Sequence, residues 1–296
     1  MIGSLLALSR LKILSIGEIL WDVIGDLEHL GGAPLNFAAH AVRLGARSFL
    51  LSAVGSDERG KRARVQAATM GVETRFISTT GQAETGIAMV GMDEAGQARF
   101  SLQRPAAYDF LTPTDELLAD SFDAIYFGTL LNTFEPAHRA TLRVLDTFPE
   151  AIHFYDVNLR AGHYQLDLVE QLMSMADVVK FNEEEAAIIT GNASPRLQEF
   201  CETQARLFRL DGVAVTRGAQ GCVVLKDRDY AEIPGTPVTV GDTVGAGDAF
   251  AAAFLYGLTQ DWSAERVGTF ANRLGALVAS RPGGVPDWKI EELNLL

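Results

Sequence analysis

Short runs rich in β-branched and aromatic residues alternate along the chain with stretches whose apolar positions recur at helical spacing, the pattern of βα units around a mostly parallel sheet. Strands are predicted over Lys12–Gly17, Arg47–Val54, Ala124–Gly128, Ile152–Val157, Val178–Phe181, Val213–Thr216 and Gly221–Leu225. The clearest helix is Leu35–Leu44, where Leu35, Ala38, Ala39 and Val42 fall at i, i+3, i+4 and i+7. Pro34 is tolerated in its first turn and Gly45 stops it. Further helices are predicted at Pro136–Thr147, Leu166–Met175, Glu183–Thr190, Pro195–Arg209, Gly247–Leu258 and Ala264–Ser280. Two stretches break the rhythm. Gly86–Gly91 and Arg99–Gln103 read as short strands around a hairpin-type turn, and residues 23–30 form a second short excursion that can pair with them as a flap. No composition shift, Ser/Pro linker or repeat marks a boundary. Residues 1–296 therefore read as a single α/β domain with a small β lid formed by about 23–32 and 86–108.

Composition narrows the chemistry. With 25 Lys+Arg against 38 Asp+Glu the formal charge is −13, which repels nucleic acid and anionic membranes, so a phosphorylated ligand must be held by local groups. No nucleic-acid or membrane partner is expected. Cys201 and Cys222 lie far apart without metal spacing and read as reduced thiols of a cytoplasmic protein. The apolar start Met1–Arg10 lacks a basic n-region and is not read as a signal peptide. The longest apolar run, Ala249–Leu258, is too short to span a membrane and reads as a buried helix.

The most informative segment is Val240-Gly-Asp-Thr-Val-Gly-Ala-Gly-Asp-Ala-Phe250, a glycine-rich loop running into that apolar helix. Gly245 and Gly247 let backbone N–H groups point into one concavity, and the helix N-terminus adds potential favourable to an anion. Asp248, in the first helical turn, is either an ordinary dipole partner or a carboxylate that meets a hydroxyl approaching a phosphoryl group. A second segment, Gly31-Gly-Ala-Pro-Leu-Asn36, opens the Leu35 helix and offers close backbone approach plus the amide of Asn36, or else is a plain turn before a core helix. Asp22 follows the end of the first strand, where ligands of open α/β sheets collect, and is placed to bind hydroxyls.

Asp242-Thr-Val-Gly-Ala-Gly-Asp-Ala-Phe250 resembles the C-terminal signature of the PfkB/ribokinase family of carbohydrate kinases, and Gly31-Gly-Ala-Pro-Leu-Asn36 through Gly45 resembles its N-terminal one. Tyr155-Asp-Val-Asn-Leu-Arg160 is similar to its D-x-N-x-R element. Ala176-Asp-Val-Val-Lys-Phe-Asn-Glu-Glu-Glu185 resembles its N-x-x-E motif, and Val215-Thr-Arg-Gly-Ala-Gln-Gly-Cys222 its nucleotide strand. The resemblance spans nearly the whole chain and implies a ribokinase-like three-layer α/β/α sandwich that transfers the γ-phosphoryl of ATP to a sugar hydroxyl. Carried over residue by residue, Asp248 would be the base and Gly245, Ala246 and Gly247 would donate backbone N–H bonds to the developing charge. A loose transition state asks for positioning more than basicity, so a carboxylate of ordinary pKa is expected to suffice.

The same resemblance implies roles for other positions. Asp22, Gly31, Gly32, Asn36, Asn158 and Arg160 would face the substrate, with Arg104 as a lid arginine. Asn182, Thr216, Gly218, Gly221 and Asn272 would line the nucleotide, and Asn182 with Glu185 would hold Mg²⁺ through its waters. Glu183 and Glu184 are expected to do no more than complement the helix dipole. Asp242 resembles one side of a monovalent-cation site, so K⁺ joins ATP and Mg²⁺ as an expected ligand. Gly-Gly-Ala-Pro with Asn36, together with Gly17-Glu18 and Trp21-Asp22, looks most like the fructokinase branch. Ribose, 2-keto-3-deoxygluconate and nucleosides stay open as acceptors, as does a homodimer. Only eight residues separate Asp22 from Gly31, a short excursion for a lid-swapped one.

Rival readings are weaker. Gly55-Ser-Asp-Glu-Arg-Gly-Lys-Arg62 nearly spells a P-loop, but it lacks the Ser/Thr after Lys61, and Asp57 and Glu58 would repel phosphate. No dinucleotide fingerprint, zinc spacing or nucleophile elbow occurs, and His40 and His138 are expected on helix faces. A non-catalytic sugar or nucleotide sensor is the rival of another class, and the combination of Asp248 with a complete glycine loop argues against it.

Overall fold

The computed structural model describes residues 11–92, 98–260 and 262–294. The Met1–Arg10 start and residues 93–97 of the expected hairpin turn lie outside the described residues. The strands are β1 (Lys12–Ile16), β2 (Leu20–Ile24), β3 (Leu27–Gly31), β4 (Arg47–Gly55), β5 (Ile77–Thr80), β6 (Gly86–Met92), β7 (Ala98–Leu102), β8 (Ala124–Gly128), β9 (Ile152–Asp156), β10 (Val178–Asn182), β11 (Gly212–Thr216), β12 (Cys222–Lys226) and β13 (Asp229–Ile233). The helices are α1 (Ala33–Arg43), α2 (Glu58–Thr69), α3 (Asp115–Leu118), α4 (Thr129–Asn132), α5 (Glu135–Thr147), α6 (Leu166–Met173), α7 (Glu183–Thr190), α8 (Leu197–Phe208), α9 (Ala246–Leu258) and α10 (Ala264–Ala279).

A nine-stranded sheet runs β13-β12-β11-β10-β9-β8-β1-β4-β5. It is parallel from β11 through β5, and only β12 and β13 pair antiparallel at one edge. Its central strands are buried on both faces, as βα crossovers require. Alternate side chains enter two cores. Phe127, Tyr155, Phe181 and Val215 pack with α5, α6 and α8 on one side. Tyr126, Phe154, Ala214 and Val224 pack with α1, α9 and α10 on the other. Helix, sheet, helix is the three-layer order expected.

A second sheet of four strands, β3-β2-β6-β7, stands apart. In it β2 and β6 are parallel while both outer pairs are antiparallel. Its inner residues Trp21, Val23 and Leu30 share a third core with Leu35 and Ala38 of α1 and Ala63 and Ala67 of α2. Helix α2 occupies the rejected P-loop segment. Asp57 caps it by accepting from Gly60 N at 2.7 Å, and its buried face holds only Gly60, Ala63 and Ala67, which left no apolar stripe to read in advance. Strands β5 and β13 were also not anticipated; both are short strands at the sheet's edges. Both cysteines are buried free thiols whose pKa burial pushes up to about 12, so they are inert. No described helix is long and apolar enough to cross a membrane.

Candidate active site

Asn158 and Arg160 follow β9, and Asn182 and Thr216 end β10 and β11, at carboxyl ends of parallel strands where such sheets present ligand sites, while Asp22 and Gly31 lie on the second sheet. Gly31 and Gly32 open α1 because nothing larger fits. A Cβ at Gly31 would lie 2.6 Å from the Asp22 carboxylate, and one at Gly32, whose φ is +115°, would lie 2.4 Å from the Glu18 carbonyl. One turn further, Asn36 donates from Nδ2 to Asp248 Oδ2 at 2.9 Å, a buried bond across 212 residues of sequence. Its Oδ1 is buried and accepts from no protein group. Helix α9 begins at Gly245, which adopts φ +76° where a Cβ would sit 2.2 Å from the Gly284 carbonyl. The turn lets the first backbone N–H groups of α9 open onto a cavity of about 700 Å³ walled by Asn182, Thr216, Gly218, Gly221, Gly247 and Asn272. The five residues expected at the nucleotide thus share one cavity with the anion loop.

Asp248 is less acidic than an ordinary carboxyl. Burial raises its pKa to about 6; the nearby charge of Asp156 adds to this, while the Asn36 bond, Lys180 and Arg160 oppose it. Beneath the loop, Lys180 Nζ bonds Asp156 Oδ1 at 2.9 Å, and Tyr126 donates to Asp156 Oδ2 at 3.0 Å. Burial favours the neutral amine of Lys180, but Asp156, Glu185 and Asp248 outweigh it and the pKa is raised. A second buried carboxyl, Glu18, lines a small hollow with Asn158 and Arg160. Burial raises its pKa against the pull of its own N–H, of Arg160 and Arg104, and of the Ala33 N–H at the start of α1. Asp22 is raised by burial too, opposed by Arg160 and His29. One positive group, Arg160, thus faces three carboxyls.

The chain matches the pfkB family carbohydrate kinases over residues 12–290. It belongs to that family. An uncharacterized sugar kinase from Pyrococcus horikoshii is 30% identical over 95% of this chain and 94% of its own length. That protein's structure in complex with ATP superposes with a TM-score of 0.81 at 28% identity, covering 96% of this chain and 97% of the other. A fructokinase from Klebsiella pneumoniae is 28% identical over 93% of this chain and 95% of its own. The fructokinase of Vibrio cholerae O395, in its fructose, ADP and calcium ion bound form, gives a TM-score of 0.84 at 26% identity over 97% and 99% of the two chains. The fold is ribokinase-like.

Within this pfkB-family chain several positions depart from their expected surroundings. The Arg104 guanidinium is bonded within the protein, to Asp109, Leu130 and Thr133. Its Nε and Nη2 bond the buried Asp109, and Nη1 bonds the Leu130 carbonyl at 2.8 Å and Thr133 Oγ1 at 2.6 Å. A fully buried carboxylate needs a cation and claims the nearest one. Asn182 and Glu185 form a capping box on α7 instead of an open pair. Asn182 Oδ1 accepts from Glu185 N, while the two Glu185 oxygens accept from Leu159 N and Asn182 N. Glu183 and Glu184 sit in the first turn of α7, where they complement its dipole. Asn272 lines the cavity but spends its amide on the Pro234 carbonyl and Thr236. Asp242 ties two loops together, accepting from Val244 N and Gly283 N, each at 3.0 Å. Among the described residues no group of three or more His, Cys, Asp or Glu could hold a metal directly.

Three charged neighbours of the site were given no role of their own from the sequence: Glu18, named only with the branch resemblance, Asp156, named only as part of the D-x-N-x-R element, and Lys180. The last two carried a signal, each being a charge inside an otherwise apolar strand, which folds only if it finds a partner.

Proposed function

We propose that this pfkB-family kinase transfers the γ-phosphoryl group of ATP to a hydroxyl of fructose, with Asp248 as base and the Gly245–Gly247 loop as anion hole. The Asn36–Asp248 hydrogen bond supports this most directly, because it joins the helix that opens at the sugar side to the helix that opens on the large cavity. A cavity of about 700 Å³ is of nucleotide size. The fructokinase relatives and the V. cholerae complex favour fructose.

In this reading Asp22, Gly31, Gly32, Asn158 and Arg160 hold the sugar, and the orphaned Asn36 Oδ1 accepts from one of its hydroxyls. The attacking hydroxyl gives its proton to Asp248, which must be ionised to take it. Backbone N–H groups of the loop and of the α9 terminus then stabilise charge on the equatorial phosphoryl oxygens. Thr216, Gly218, Gly221 and Asn272 flank the nucleotide. Mg²⁺ would arrive with the nucleotide and neutralise phosphate charge. Asn182 and Glu185 suit a cation that keeps its waters, since their own oxygens are already bonded within the capping box. Asp242 and the 280–284 turn would serve K⁺.

The test is ADP release with MgATP against fructose, ribose, 2-keto-3-deoxygluconate, glucose and adenosine, with and without K⁺. Fructose as the single fast acceptor is the expected result. A different fast acceptor replaces the sugar but keeps the kinase. Binding of ATP and a sugar without turnover would make the protein a sensor.

A further inference from the structure

His40 lies on α1 one turn beyond Asn36 and is fully buried, yet it touches neither the sugar hollow nor the large cavity. Its ring is held at both nitrogens. Trp288 Nε1 donates to His40 Nδ1 at 3.1 Å, and His40 Nε2 is 3.0 Å from the Gly284 carbonyl. An indole N–H can only donate, so Nδ1 accepts and Nε2 carries the proton toward Gly284. The imidazole is neutral, burial pushing its pKa down to about 4 against the pull of the Gly284 carbonyl.

Gly284 is where this bond acquires a consequence. The residue is wedged between the two halves of the site: a Cβ there would lie 3.0 Å from Asn36 Nδ2, and its carbonyl and Cα are what a Cβ at Gly245 would strike, at 2.2 and 2.6 Å. Gly245 is the left-handed residue that starts α9 and sets the direction of the loop N–H groups. Arg43, the last residue of α1, adds two ties to the same strap, to the Pro286 carbonyl and to Asp287. Helix α1 therefore grips the anion loop twice, at Asn36 through Asp248 and at His40 through Gly284.

We propose that His40 is a positioning residue for phosphoryl transfer: its Nε2–H holds the Gly284 carbonyl against Gly245 and so fixes where the anion loop stands relative to Asn36 and Asp248. The inference rests on the loop being the anion hole. Transition-state donors lose their effect when displaced by about 1 Å, which costs about a hundredfold in rate. Substrate contacts on α1 and in the nucleotide cavity are left in place, so the loss falls on kcat and spares KM.

The test measures steady-state kcat and KM for MgATP and for the acceptor turned over fastest in the five-member panel, in the parent chain, His40→Leu, His40→Gln and Asp248→Asn. His40→Leu should lose about ten- to hundredfold in kcat with both KM values within about twofold. His40→Gln, whose amide N–H can reach the Gly284 carbonyl, should recover most of that loss. His40→Leu with parental kcat overturns the inference, as does His40→Gln no faster than His40→Leu. Should His40→Leu fail to fold, His40→Met is read instead: it fills the ring's place without a donor for the Gly284 carbonyl and should lower kcat about tenfold, an unchanged kcat overturning the proposal. Failure of the underlying reading looks different. If Asp248→Asn turns over normally, or the parent phosphorylates nothing, the anion-loop assignment falls and this inference with it.

Discussion

Asp248 concentrates the energetic conflict of the site in one side chain. It is held ionisable in a buried place, beside another carboxylate, with Asn36 and Lys180 as partial compensation. A base with a pKa of about 6 gives the kcat/KM profile an acidic limb there, activity falling as pH drops below it. An acidic limb near pH 4 in the parent, measured by initial rates from pH 4 to 9, would show that the carboxyl is not so perturbed. The same shift has a stability consequence. A carboxyl whose folded pKa is raised helps the fold while protonated, below its unfolded value, and loses that contribution as pH rises through about 6. Asp248→Asn, which removes the charge and keeps an acceptor for Asn36, should therefore stabilise the fold at pH 8 by up to about 3 kcal/mol and hardly at all at pH 4. Urea unfolding at the two pH values checks this. Turnover should be abolished while ATP binding persists, and near-normal turnover would remove the proposed base.

At the scale of elements, the decisive joint is the start of α9. Gly245 combines a left-handed φ with a carbonyl where its Cβ would be, so Gly245→Ala cannot be relieved by a rotamer change. The expected outcome is a loss of at least about a hundredfold in kcat, because the loop must move for the methyl group to fit, together with about 1–3 kcal/mol of stability. Retained kcat in a folded Gly245→Ala protein would mean the loop N–H groups do not act on the phosphoryl group. Helix α7 is a milder case: its capping box links Asn182 and Glu185, so Asn182→Ala should cost about 1 kcal/mol in urea unfolding besides any effect on the nucleotide.

Across the whole molecule, the four-stranded sheet is carried by α2, the helix that overlaps the rejected P-loop segment. Glu28 of β3 pairs with Arg59 and Arg62, Trp21 donates to the Arg59 carbonyl, and Asp57 receives the N–H and hydroxyl of Thr85 at the root of β6. Arg59 and Arg62, in the segment rejected as a P-loop, thus brace the sheet that bears Asp22. Asp22→Ala should chiefly raise the KM for sugar. Arg62→Gln, which removes the pair with Glu28 and the guanidinium lying 4.3 Å over the Trp21 ring, should raise it no more than about fivefold with kcat unchanged. A kcat loss in Arg62→Gln exceeding its KM effect would place helix α2 in the chemistry instead.

Much of this was legible in the chain itself. Alternating βα periodicity dictated a parallel sheet sandwiched by helices, since strands buried on both faces must be continuously apolar and their crossovers amphipathic. The glycine loop, the Gly-Gly turn and Asp248 were also readable, because glycine before a helix and an acid in its first turn are local features with local causes. Other features depend on which distant residues meet. That Arg104 would be claimed by Asp109, that Asn182 and Glu185 would close on each other, and that Asp248 would be buried beside Asp156 are outcomes of packing between separate elements. So is the relay from Trp288 through His40 to Gly284. Local sequence sets backbone geometry because sterics act between neighbours, whereas hydrogen-bond partners and pKa values follow from burial and through-space charge, which exist only once the helices have docked on the sheet.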